Sequence, residues 1–143
     1  MNMGYIYFFT PIVLLIIFRY GFLISLISAL IIGLLLDSLS YLNFYYIIYL
    51  IATLIMFGVK KHFSFDNVIS MCIYNSLFAS VIFFLQSFFL FLLFPNLKFS
   101  FYWIFTNILV IPSVNGVYYI GAIYLPYKLK QCMKVKKNMM SYE

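Results

Sequence analysis

Across residues 68–94 the chain carries no charged side chain. Coiled as an α-helix at about 1.5 Å per residue, that run reaches about 40 Å, more than the roughly 30 Å of hydrocarbon in a bilayer. Apolar runs at residues 5–18, 20–36, 44–59 and 99–127 occupy most of what remains. Hydrophobic residues make up 66% of the 143 and charged residues 8%, whereas soluble domains have about 45–50% apolar and about 25% charged residues. Lipid is therefore the solvent for most of this sequence. In lipid a backbone must satisfy its own hydrogen bonds, and these runs lack the alternation of barrel strands. The expected fold is an all-α, polytopic transmembrane helical bundle of about five spans over residues 1–127, followed by a basic cytoplasmic tail at 128–143.

The breaks between runs, at Arg19, 37–43, 60–67 and 95–98, are short, as helical hairpins require. The first hairpin is the tightest. Residues 5–36 would make roughly 48 Å of helix, long for one span and short for two. Leaving Arg19 unpaired in mid-bilayer would cost from about 2.5 kcal/mol upward, which favours two spans over one tilted helix. No basic residue precedes Arg19, so the first run reads as mature structure rather than a secretory signal.

The net charge of +6 is unevenly spread. Lys128, Lys130, Lys134, Lys136 and Lys137 follow the last apolar run directly, which reads as a lipid and cytoplasmic anchor and not as a nucleic-acid site. Threading five spans with this tail in the cytoplasm puts Arg19, Lys60 and Lys61 on the same side and only Lys98 opposite. The positive-inside rule then gives an inner-membrane, N-out and C-in topology. Tyr45, Tyr46, Tyr49, Tyr102, Trp103 and Tyr127 flank run ends and are expected at the membrane interfaces.

Ser25, Ala29 and Gly33 recur every four residues, and Asp37 continues the same face. Such a small-residue stripe lets a helix approach closely, either within the bundle or from a partner. Asp37 opens Asp37-Ser38-Leu39-Ser40, where the serines could offer hydroxyls to its carboxylate or to free backbone groups. Its alternatives are turn-making and partner docking. Pro112 interrupts the last run and predicts a kink that Ser113 and Asn115 could help to satisfy, while Asn115 and Gly116 add polarity and close approach. Asn75, Ser76, Ser80, Gln86 and Ser87 are expected to hydrogen-bond across the core. Cys72, Cys132 and His62 offer neither a zinc site nor a nucleophile with its base. No enzyme activity, metal or cofactor is expected.

The segment Gly33-Leu34-Leu35-Leu36-Asp37-Ser38-Leu39-Ser40, with a further span from Phe44 and a basic loop at Lys60-Lys61, resembles the hallmark of the bacterial rod shape-determining MreD family. Pro112-Ser113-Val114-Asn115-Gly116, leading through Pro126 into a basic end, is similar to that family's closing helix. The chain departs from the family pattern at Tyr41-Leu42-Asn43, where a Gly-rich turn is common, and in having one N-terminal span fewer. The resemblance implies a non-catalytic scaffold of the cell-wall elongation machinery. It would bind an MreC-type bitopic protein and act with MreB-type filaments and RodA-type and penicillin-binding synthases in lateral peptidoglycan synthesis. It also implies a fold like that of the substrate-binding subunits of energy-coupling-factor transporters. The alternative function is therefore a vitamin-binding transporter subunit, with Asn75, Gln86, Asn107 and Asn115 lining a pocket.

Overall fold

The computed structural model describes residues 9–40, 43–64, 66–94, 105 and 109–139, and every regular element among them is helical. Helix α1 is Thr10–Arg19, α2 Phe22–Leu39, α3 Tyr45–Val59, α4 Val68–Leu93, α5 Ile111–Tyr119 and α6 Leu125–Met139. A single 3₁₀ turn, Lys60–His62, extends α3, and a π-helical turn, Ile120–Tyr124, joins α5 to α6.

Local chemistry sets the helix ends. A proline stands in the first turn of α1, where the missing N–H is no loss. The Asn67 side chain caps α4 by accepting from the backbone N–H groups of Ile69 (3.0 Å) and Ser70 (3.5 Å). Asn43, with φ of 45°, turns the chain from α2 into α3, a left-handed conformation that Asn tolerates better than most residues.

Two helices, α2 and α4, are each long and apolar enough to cross a bilayer. Helix α1 covers about 15 Å and α3 about 22 Å, each short of the hydrocarbon thickness on its own. The first apolar stretch is two helices, as the cost of a buried Arg19 suggests. The break falls at Tyr20 and Gly21, one residue beyond Arg19. Gly21 precedes α2 in extended conformation, and the Ser25 hydroxyl donates back to its carbonyl (3.1 Å).

The C-terminal end of α1, the start of α2 and the end of α3 meet at one end of the bundle. The Phe22 ring lies 5.0 Å from the Phe57 ring, and Lys60 reaches the last turn of α1. At the opposite end, Tyr45 of α3 meets Gln86 of α4. Between them lies a dry core that includes Leu14, Leu36, Ile48, Tyr49, Phe78 and Ile82. Tyr45 and Tyr49 are only 1% and 0% exposed, so they are core residues and not the interfacial anchors expected from their place at a run's start. In lipid the outer apolar faces gain nothing by turning inward, so close packing and polar contacts must select which face is buried. The outward Leu23, Ile27 and Leu34 of α2 illustrate this, each at least half exposed.

The last run differs most from expectation. Helical structure continues through residue 127 into α6, so the basic tail begins inside a helix. Pro112 sits in the first turn of α5, immediately after π-helical residues 109–110.

Candidate functional site

The stripe on α2 lies at the α2–α3 seam. Ser25, Ala29, Gly33 and Asp37 are all buried. At Gly33 the α3 backbone comes so close that an added Cβ would stand 2.3 Å from the Tyr46 Cα and 2.8 Å from its nitrogen. No side chain fits there. Four residues on, the Asp37 carboxylate accepts the backbone N–H of Tyr45 through Oδ1 (2.7 Å) and that of Tyr46 through Oδ2 (3.2 Å). Those amides are among the unpaired donors at the start of α3. Asp37 thus caps the neighbouring helix with a negative charge at its positive end. Of the two roles expected of the neighbouring serines, the structure shows a bond to backbone rather than to the carboxylate. Ser38 donates to the Leu35 carbonyl (2.7 Å), and the buried Ser40 hydroxyl has no partner among the described residues.

A second polar seam joins α1, α4 and α5. The buried Asn115 side chain donates to the Thr10 hydroxyl, and the Asn75 amide donates to the Asn115 carbonyl (2.9 Å). Gln86 donates to the Tyr45 hydroxyl (3.3 Å), and the Tyr74 hydroxyl donates to the Met56 carbonyl. Asn75 and Gln86 therefore bond across the core as expected. Ser80 and Ser87 instead donate to the carbonyls of Ser76 (2.9 Å) and Phe83 (2.8 Å) within their own helix. Ser113 likewise donates to the Leu109 carbonyl (2.6 Å), and Asn115 bonds Thr10; Ile108, four residues before Pro112, lies outside the described residues. Asn75, Gln86 and Asn115 are thus each bonded between helices. Asn107 lies outside the described residues, as do Tyr102 and Trp103.

Three contacts had little sequence signal. Lys60 looked like loop charge, yet its ammonium donates to the Ile17 carbonyl (2.6 Å) and lies 5.5 Å and 5.3 Å from the Phe18 and Phe57 ring centroids. A cation thereby meets the negative end of α1. Thr10 and Tyr74 sit in apolar runs, and their residue types alone do not mark them as bonding between helices.

A groove of about 350 Å³ opens outward between α4 and α5, lined by Cys72, Ile73, Ser76, Leu77, Ser80, Leu109 and Ser113. Gly116 lies beside it, where an added Cβ would meet the Ser76 hydroxyl at 3.6 Å, an ordinary contact. The groove has the small side chains that favour helix docking in membranes. Among the described residues no three His, Cys, Asp or Glu side chains gather as a metal set.

Beyond the bundle, Lys128 donates to the Tyr124 hydroxyl (3.1 Å). That bond raises its pKa above the usual lysine value. Lys130 is exposed, and Lys134, Lys136 and Lys137 continue the same helix. The chain matches no protein-family model, no characterised protein and no solved structure.

Proposed function

We propose that this chain is a non-catalytic scaffold of the cell-wall elongation machinery in the bacterial inner membrane. It binds the single span of an MreC-type bitopic protein and, through it, MreB-type filaments and the peptidoglycan synthases. The observation that supports this reading most is the division of polar groups. Asp37, Asn75, Gln86 and Asn115 hold the chain's own helices together. Among the described residues, large apolar side chains face outward, as does a groove with four small side chains between α4 and α5. A partner helix fits such a groove by van der Waals contact and Ser hydroxyls.

In this reading the bundle is multi-pass, and its Arg19, Lys60, Lys61 and α6 end lies in the cytoplasm. Lys60 reaching the end of α1 beside Arg19 supports a shared side for Arg19, Lys60 and Lys61. Affinity purification in mild detergent, with the MreC-type partner co-expressed, is the test. Co-purification is expected with the native chain and reduced on Ser76→Leu or Ser80→Leu. Repeated recovery of the native chain alone would end the scaffold reading.

A further inference from the structure

Among the described helices, α6 sets exposed apolar residues on a stripe beside basic residues. Leu125, Leu129 and Met133 recur every four residues and are 51%, 60% and 63% exposed, with exposed Cys132 on the same arc. At 100° per residue, Lys128 and Lys130 fall roughly 40–60° beyond the two edges of that arc. Long lysine stems can lie along apolar surface with their charges in the headgroups. Residues 125–139 contain no acid; Lys134 and Lys137 add to the charge, and Lys136, which falls within the same arc at roughly 20° from Leu125, ends the apolar stripe beyond Met133. The segment is too polar to cross a bilayer, and from Leu125 to Met133 one side of it is apolar and exposed.

The junction with α5 permits a bend. The π-helical turn Ile120–Tyr124 is a site where helices kink. Gly121 within it has open space around its Cβ position, and Pro126 just beyond removes a backbone donor.

We infer that α6 is a surface helix that lies along the anionic headgroups of the bilayer its own chain crosses, apolar stripe inward, hinged at the π-helical turn. The inference rests on the membrane-spanning reading. Because α6 leaves directly from the last membrane run, its stripe begins at the interface, and its charge selects anionic over zwitterionic lipid.

The test uses the full chain with Cys72→Ser, so that Cys132 alone carries an environment-sensitive fluorophore. It is reconstituted in vesicles of phosphatidylcholine or of an equal mixture with phosphatidylglycerol. A blue shift and shielding from acrylamide are expected in the anionic vesicles and weaker in the zwitterionic ones. Salt and the pair Lys128→Gln with Lys130→Gln should diminish both, and Leu129→Ser with Met133→Ser should remove them. Water-like emission in both vesicles would overturn the inference, as would equal burial in both that ignores the lysine changes. A shift that requires added membrane proteins would assign the helix to an acidic protein and overturn it too. Alkaline extraction of the chain from both vesicles would instead sink the membrane-spanning reading itself.

Discussion

Gly33 and Gly116 look alike in the sequence, each a small residue on a polar-marked helix face, but their surroundings differ. A methyl group at Gly33 would collide with the α3 backbone, which cannot swing aside as a flexible side chain can. Gly33→Ala should therefore force α2 and α3 apart and cost about 1–3 kcal/mol, the range for overpacking. Gly116→Ala would make only an ordinary contact with Ser76 and should be nearly neutral. Reversible unfolding in mixed micelles measures both, and equal effects would contradict the geometry. Asp37 allows a similar comparison. Asp37→Leu leaves the Tyr45 amide buried without its acceptor, a loss of about 1.5–3 kcal/mol for a charged hydrogen bond. Asp37→Asn keeps one acceptor oxygen and should lose less. The sequence identified both Gly33 and Asp37 as contact residues. It left open whether the contact was a partner or α3, because spacing along one helix does not say which helix lies opposite.

At the scale of elements, the helices were legible wherever an apolar run met a polar break. Asn67 before α4 and the break near Arg19 are both visible as residue types. The π-helical turn was not legible, since Ile120–Tyr124 has the composition of any membrane helix and only backbone geometry sets it apart. Nor was the cap on α1. A ten-residue helix is marginal on its own, and Lys60 supplies charge at its negative end from a position distant in sequence. Lys60→Met should keep the stem's packing against Phe18 and Phe57 but remove the bond to Ile17. Hydrogen exchange of α1 amides in micelles should then accelerate, with α4 amides unchanged. Protection of α1 equal to that of the native chain would show that packing alone holds it.

At the scale of the whole molecule, membrane character was plain from composition, and the internal arrangement was not. A soluble helix shows its buried side by contrast with a polar one, but here both sides are apolar, so Tyr45 and Tyr49 could not be recognised as core. Charge placement carries more information than hydropathy at this scale. Lys60 bonded to the Ile17 carbonyl brings the end of α3 to the end of α1. Ser38 is exposed near the far end of α2, next to the Asp37 cap. If the positive-inside rule sets the orientation, single cysteines at Arg19→Cys and Lys61→Cys, and the native Cys132, should react with a membrane-impermeant maleimide only after the cytoplasmic face is opened. Each would be made in a Cys72→Ser background, with Cys132→Ser where the site differs. Ser38→Cys should react in intact cells. Labelling of Arg19→Cys and Cys132 from opposite faces would break the shared basic end and require a different number of crossings between them. Labelling of all four sites in the reverse sense would keep the fold and invert the bundle.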